Sequence, residues 1–161
     1  MREKILKLLE KDARIDFAEL AVMIGVQPDA VAAEIAAMID ERVICGFTTL
    51  VNWDKTDREC VTAIIEVKVT PQRGQGFDKI AERIYKFDEV TALYLMSGGY
   101  DLSIIIEGRT IKDIAYFVSD KLSPLESVLS TATHFVLKTY KDHGVVMDKK
   151  DSSDERMIIS P

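Results

Sequence analysis

Several residue types that would define a special class of protein are scarce in this sequence. Its two cysteines, Cys45 and Cys60, are too few for a disulfide framework and form no CxxC metal pair. No apolar run approaches the roughly 20 residues that span a bilayer. The first residues, Met1–Lys4, lead into a charged helical pattern, so no secretory signal is expected. These absences predict a protein of the reducing cytoplasm that binds no membrane.

Positive charge is scarce as well. The chain has 21 Lys and Arg residues against 27 Asp and Glu, a net charge of −6 over 161 residues. The basic excess that often indicates nucleic-acid binding is therefore missing. With 47% hydrophobic and 30% charged residues, the composition is typical of one globular domain or two small ones, and it excludes a largely disordered chain.

The first part of the chain has its apolar residues at helical spacing. After a first helix at the N-terminus, a second is predicted to begin after Asp16, a good N-cap residue, and to end at Gly25. A third begins near Pro28, because proline suits the first helical turn. Two segments then look extended, Val43-Ile44 and Phe47–Val51.

Three helices followed by a two-stranded ribbon predict a winged helix-turn-helix over residues 1–51. The polar stretch 52–59 is interpreted as the linker to a second domain. The residues after the second domain, 143–161, form a C-terminal extension in which apolar triplets flank a charged centre. It is expected to be either two short extended pieces, Val145–Met147 and Met157–Ile159, or an unstructured tail.

The second domain, residues 60–142, mixes a period of two with a period of 3.6. Its order of elements is β-α-β-β-α-β, which predicts an α+β, ferredoxin-like domain with an antiparallel sheet and helices on one face. The predicted elements are a strand at 63–69, a helix at 77–87, strands at 90–97 and 102–107, a helix at 111–122 and a long strand at 128–140.

Two of these strands carry runs that are apolar on both faces, Leu93–Met96 and Ile104–Ile106. In a two-layer domain only one face of the sheet meets helices, so the other face needs a partner. The pattern predicts at least a dimer that forms through the sheets.

The segment Gly98-Gly99-Tyr100-Asp101 allows two interpretations. The first is a plain hairpin turn, because paired glycines supply the positive φ angles of a two-residue loop. The second is an effector site, because glycine amides can approach a carboxylate closely and Asp101 can accept a hydrogen bond from an α-ammonium group. The residues alone leave both open.

Together these features resemble the Lrp/AsnC family, the feast/famine transcription factors that sense amino acids. The matching segments are Leu20-Ala21, Gly25-Val26, Pro28–Val31, Gly98–Leu102, Thr131–Thr133 and Val136–Lys138. The resemblance implies a homodimer that assembles to a tetramer or octamer, with DNA and an amino-acid effector as partners, no cofactor and no enzymatic activity. It implies effector contacts from Gly98, Gly99, Tyr100, Asp101, Ser130, Thr131 and Thr133. It implies DNA contacts from Gln27, Asp29, Ala30, Ala33, Glu34 and Arg42.

The predicted recognition helix departs from the family because it is acidic. Residues 29–42 hold one basic residue, Arg42, and four acidic ones, a net charge of −3. Since specific complexes owe much of their affinity to phosphates neutralised by Lys and Arg, weak or atypical DNA binding is expected. Phosphate contacts would then shift to cations elsewhere, namely Arg2, Lys4, Lys7, Lys11, Arg14 and Lys55.

Two alternatives to a DNA-binding regulator follow. The first is a sensor or protein-interaction module on the same scaffold with weak or lost DNA binding. The second is an enzyme similar to the tetrapyrrole decarboxylases, and it is disfavoured because no cluster of His and Arg is present. His134 and His143 have no convergent partners along the chain, so neither a catalytic residue nor a metal site is predicted.

Overall fold

The computed structural model describes residues 1–70 and 76–148, and it divides between Val51 and Asn52 into two compact units. Each unit has its own hydrophobic core. Within the described residues, no single helix is long and apolar enough to cross a membrane. The second and third helices satisfy that test only as a joined pair, and they bend by 104° at the turn between them.

The first unit consists of α1 (Arg2–Lys11), α2 (Phe17–Ile24) and α3 (Pro28–Asp40). The Asp16 carboxylate accepts a hydrogen bond from the Ala18 N–H at 2.6 Å and so caps α2. At the other end, Gly25 adopts a φ of +81° in the left-handed region, where glycine carries no steric penalty. The bend of 104° between α2 and α3 lies in the range of a helix-turn-helix.

A single apolar cluster holds the three helices together. Ile5 of α1, Leu20 of α2, and Val31 and Met38 of α3 are completely buried in it. The helical spacing read from the sequence therefore identifies the faces that pack, and the predicted helix-turn-helix is confirmed.

The two-stranded ribbon expected at 43–51 is wrong for this chain. Residues 43–51, all of which the structure describes, form no strand. The N–H groups of Val43 and Ile44 donate instead to the Met38 carbonyl at 2.9 and 3.0 Å. These amides satisfy the end of α3 and are not available to pair with a second strand.

The second unit consists of β1 Val61–Val69, α4 Asp78–Ile84, β2 Val90–Leu95, β3 Leu102–Gly108, α5 Ile111–Tyr116 and β4 Val128–Phe135. Its strands form a four-stranded antiparallel sheet with the order β2-β3-β1-β4. Its helices α4 and α5 pack on one face, where α5 continues as a π-helical turn over Phe117–Leu122. The predicted α+β domain and its antiparallel sheet are confirmed.

Register divides the side chains of the sheet between two faces. In β1, Ala63, Ile65 and Val67 are buried against the helices, and Leu102 and Ile104 of β3 lie opposite Val67 and Ile65 on the same face. The other face is left uncovered by the helices of this chain, and Ile64 and Glu66 of β1 lie on it.

The last predicted strand is shorter than expected. It ends at Phe135, and a small hairpin follows in which β5 (Lys141-Asp142) pairs with β6 (Val145-Val146). His143 and Gly144 turn this hairpin with φ angles of +42° and +81°. The proposed boundary at 142/143 thus falls inside a hairpin. The other expected extended piece, 157–159, lies outside the described residues.

The polar stretch 52–59 packs on this hairpin, so it is not a free linker. The Asn52 side-chain amide donates to the Met147 carbonyl at 3.2 Å. The Lys55 ammonium lies 3.7 Å from one oxygen of Asp148, whose other oxygen binds Lys138 at 2.9 Å. These ion pairs lower the pKa of Asp148, with the Lys138 hydrogen bond as the larger cause.

A matched pair of leucines tests the assignment of the core. Leu102 is 1% exposed and Leu129 is 67% exposed. We expect Leu102→Ala to lower the free energy of unfolding by about 3 kcal/mol, because it leaves a cavity, and Leu129→Ala to lower it by less than about 1 kcal/mol. Urea unfolding followed by circular dichroism measures both. Equal losses would contradict the assignment of the helix-covered face.

Candidate functional site

The outward face of α3 is exposed and carries several of the residues predicted to contact DNA. Val31, Ile35 and Met38 are buried on the inner face. The turn residue Gln27 and the helix residues Asp29, Ala30, Ala33, Ala36 and Asp40 are exposed. Five of the six predicted DNA-contact residues are exposed, and four of them, Gln27, Asp29, Ala30 and Ala33, lie on this face or in the turn that leads into it.

The other two predicted DNA-contact residues are placed differently. Glu34 is only partly exposed and is bound by Arg2 of α1, so its predicted DNA contact stays a prediction. Arg42 lies beyond the end of α3 with a φ of +59°, and its carbonyl oxygen accepts a hydrogen bond from the Cys45 thiol.

Arg2 of α1 binds the two carboxylates on this side of α3. Its Nη1 and Nη2 atoms lie 2.5 and 2.9 Å from the oxygens of Glu41, and its Nε atom donates to Glu34. The hydrogen bonds to Glu41 and Glu34 raise the pKa of Arg2, and the hydrogen bond from Arg2 holds the pKa of Glu41 below its usual value. Two of the four acidic residues that made the recognition segment look repulsive are therefore neutralised within the chain.

Two of the cations expected to replace the missing basic helix are engaged elsewhere. Arg2 is bound as described, and the Lys7 ammonium binds Glu3, one helical turn away, at 2.6 Å. Lys4, Lys11 and Arg14 are exposed, and Lys55 lies beside Asp148.

Removing the Arg2 side chain should leave the negative charges of Glu34 and Glu41 without their cationic partner. We expect Arg2→Ala to weaken binding to duplex DNA more than Lys7→Ala does, because only the former releases the carboxylates of Glu34 in α3 and of Glu41 directly after it. Both variants remove one positive charge from α1, so Lys7→Ala is the matched control. Fluorescence anisotropy with labelled duplexes at several salt concentrations measures the affinity.

A triple variant separates charge release from a lost phosphate contact. Adding Glu34→Gln and Glu41→Gln to Arg2→Ala should restore most of the affinity if the released carboxylates cause the loss. If Arg2→Ala and Lys7→Ala behave alike, or if the triple variant gains nothing, the neutralising role assigned to Arg2 is wrong.

The second candidate site is a pocket of about 270 Å³ at the edge of the sheet. It is formed where β1, β4 and the loop between β2 and β3 meet. It is lined by Glu66, Lys68, Gly99, Tyr100, Ser130, Thr131 and Ala132. Four of the seven predicted effector-binding residues, Gly99, Tyr100, Ser130 and Thr131, are among them.

The register of β1 and β4 arranges the charged groups of this pocket. Lys68 lies opposite Ser130 and Glu66 lies opposite Ala132, so these four residues share the face that the helices leave uncovered. The Nε2 atom of His134 on the same face lies 3.5 Å from Glu66. The pocket therefore offers one ammonium and one carboxylate group beside a hydroxyl group.

Asp101 is not among the residues that line the pocket, so its role as the acceptor for an α-ammonium group stays a prediction. Its carboxylate accepts a hydrogen bond from the Val69 N–H at 2.9 Å, while its own N–H donates to the Val67 carbonyl at 3.0 Å. The Asp101 carbonyl also accepts from the Met96 N–H at 2.8 Å. Asp101 thus positions the pocket loop on β1.

Gly98 and Thr133 also lie outside the pocket lining. Gly98 has a φ of +154°, a backbone conformation that residues with a side chain rarely adopt, so it shapes the loop. Because the Met96 N–H donates to the Asp101 carbonyl, the loop consists of residues 97–100. The prediction of a two-residue hairpin turn is therefore wrong. Thr133 lies opposite the buried Ile65, beyond the pocket.

Glu66 and Lys68 are pocket residues that were not predicted from the sequence. One signal was available, because they are the only charged residues in β1, Val61–Val69, and they alternate with buried valines. The pattern showed that they face away from the core, but not that Ser130 and Thr131, more than 60 residues further along the chain, would lie beside them.

The geometry defines a regulator class: a helix-turn-helix joined to an α+β domain that has a small polar pocket. Comparison with known families agrees. Residues 3–39 match the AsnC-type helix-turn-helix domain, and residues 62–146 match the Lrp/AsnC ligand binding domain. The chain belongs to the Lrp/AsnC family of transcriptional regulators. It is a transcriptional regulator with a helix-turn-helix DNA-binding domain and an Lrp/AsnC ligand-binding domain.

Relatives support this assignment over nearly the whole chain. The chain is 49% identical over 159 residues to the uncharacterized HTH-type transcriptional regulator YugG of Bacillus subtilis, covering 98% of this chain and 95% of the relative. It is 31% identical over 141 residues to the HTH-type transcriptional regulator LrpA of Pyrococcus horikoshii, covering 87% and 97%. Relatives of this chain are thus named as transcriptional regulators.

Solved structures share the fold. A transcriptional regulator from Neisseria meningitidis in complex with L-Met superposes with a TM-score of 0.68 at 21% identity, over 86% of this chain and 89% of that one. AsnC of E. coli superposes with a TM-score of 0.64 at 24% identity, over 84% and 89%.

Proposed function

We propose that this regulator senses a free α-amino acid in the pocket between β1, β4 and the Gly99-Tyr100 loop. One observation carries the proposal: a cavity of about 270 Å³ contains an ammonium group, Lys68, and a carboxylate group, Glu66, on one strand. An α-amino acid carries the complementary pair of charged groups on one carbon atom. The L-Met complex of the Neisseria relative supports the same class of ligand.

The roles follow from the charges. The Lys68 ammonium binds the α-carboxylate, and the Glu66 carboxylate accepts hydrogen bonds from the α-ammonium group. The Ser130 hydroxyl, opposite Lys68, donates a further hydrogen bond to the α-carboxylate. A volume of about 270 Å³ is sufficient for a small ligand such as an amino acid.

Ligand binding by charge variants tests this assignment. Isothermal titration of the full-length protein with a panel of L-amino acids should give saturable binding to at least one. We expect Lys68→Gln and Glu66→Gln each to weaken that binding by about 10-fold or more, since a hydrogen bond to a charged group contributes roughly 1.5–3 kcal/mol. Lys112→Gln removes an exposed charge from α5, away from the pocket lining, and should leave affinity unchanged.

The outcomes distinguish an error in the location of the pocket from an error in the class of ligand. If an amino acid binds and both pocket variants keep full affinity, the pocket is misplaced. If no amino acid binds the wild-type protein at millimolar concentration, the proposed ligand class is wrong.

We also infer that the chain assembles at least as a homodimer through the uncovered face of its sheet, and that such dimers build a tetramer or octamer. Ala92, Ile105 and Ile64 form an apolar row across β2, β3 and β1 on that face. Linked helix-turn-helix units also support DNA binding by a recognition segment with few cations, because linked sites multiply the effective affinity.

A charge placed on the apolar row should break the assembly. We expect light scattering at micromolar concentration to give a dimer or larger species for the wild type and a lower mass for Ile64→Glu. The control Ile111→Glu puts the same charge on α5, where the side chain is 60% exposed. Circular dichroism verifies that both variants are folded. A monomeric wild type, or an Ile64→Glu variant of unchanged mass, would refute the interface.

A further inference from the structure

The outward face of α3 carries methyl groups where other recognition helices carry hydrogen-bond donors. Ala30, Ala33 and Ala36 are exposed along it, and the carboxylates Asp29 and Asp40 lie near its ends. Glu34 does not contribute to this face because Arg2 binds it from α1. Every exposed side chain of α3, a helix that the structure describes completely, therefore lacks a hydrogen-bond donor.

This chemistry discriminates between bases. In the major groove guanine presents only acceptors, N7 and O6, so the side chains of α3 have nothing to donate to it. Thymine presents a 5-methyl group, which is the natural apolar contact for an alanine side chain. The carboxylates can accept only from the exocyclic amino groups of adenine or cytosine.

Two alanines lie where a recognition helix reads bases. In a helix-turn-helix the N-terminal residues of the second helix contact base edges in the major groove. Ala30 and Ala33 are three residues apart, which corresponds to about 4.5 Å along the helix axis, and adjacent base pairs are separated by roughly 3.4 Å. The two methyl groups can therefore meet neighbouring base pairs. Gln27, exposed just before α3, carries an amide that suits adenine N6 and N7.

We propose that α3 selects its DNA by the 5-methyl groups of thymine, through Ala30 and Ala33, and not by hydrogen bonds to guanine. The proposal rests on DNA binding by the helix-turn-helix. It assigns sequence discrimination to two side chains that make no hydrogen bond, while exposed lysines outside α3 supply contacts to phosphate.

The test uses duplexes in which only the methyl group changes. Duplexes that the full-length protein retains at low salt are selected from a random-sequence 25-base-pair pool, and each thymine is then replaced by deoxyuridine, one at a time. We expect replacement at one or two positions per half-site to weaken binding about fourfold, the effect of one buried methyl group. Replacing the same T·A pair by 5-methylcytosine·guanine, which keeps the methyl group, should retain part of the affinity that unmethylated cytosine·guanine loses.

A protein variant combined with the DNA substitutions gives a double-mutant cycle. Ala33→Gly should weaken binding to the thymine duplex by a similar factor. At the base pair that Ala33 contacts, replacing thymine by deoxyuridine should then cause no further loss of affinity. Ala32→Gly is the matched control, because it places the same glycine in the same helix but on the side next to the buried face. It should keep the full response to deoxyuridine.

The outcomes distinguish the readout from the function on which it rests. Selected sites with a required guanine at the contacted positions, or duplexes that bind equally well with thymine and deoxyuridine throughout, would overturn the methyl readout and leave DNA binding intact. A wild-type protein that retains no duplex even at low salt would overturn DNA binding, and the readout with it.

Discussion

The alternation of side chains along β1 governs both the core and the candidate pocket of the second unit. Ile65 and Val67 pack against the helices, while Glu66 and Lys68 face the other way. A slip of one residue would exchange the two sets and bury both charges. Pairing with β3 on one side and β4 on the other prevents that slip, and the Asp101 carboxylate fixes the end of the strand through the Val69 N–H.

In the first unit, the net charge of the recognition segment does not describe the charge of its outward face. The recognition segment has an excess of acidic residues, yet the Arg2 guanidinium binds Glu34 and Glu41 and withdraws them from the outward face. Of the remaining acidic residues, Asp29 and Asp40 lie near opposite ends of α3. The chain therefore keeps an acidic composition while the middle of the recognition face is neutral and small.

Features that depend on neighbouring residues could be predicted from the sequence. The helices, the cap at Asp16, the turn at Gly25 and the antiparallel sheet follow from spacing and turn chemistry. Features that depend on distant partners could not. The sequence of Val43 and Ile44 is typical of a strand, and only the structure shows that their N–H groups donate to the Met38 carbonyl. Nor does the sequence show that the Asp101 carboxylate accepts a hydrogen bond from the Val69 N–H, 32 residues away. Glu66 and Lys68 become site residues only when β4 pairs with β1.

The exposed alanines of α3 also bear on how such a protein can diverge. These side chains are exposed and lie outside the core, so an ordinary residue other than Gly or Pro at an outward position costs only the small difference in helix propensity from alanine. The codons of alanine are one nucleotide change from those of serine, threonine, aspartate, glutamate and valine. A duplicated gene could therefore acquire new base contacts by single point mutations, each passing through a folded protein, and its set of target promoters could drift apart from that of the parent copy.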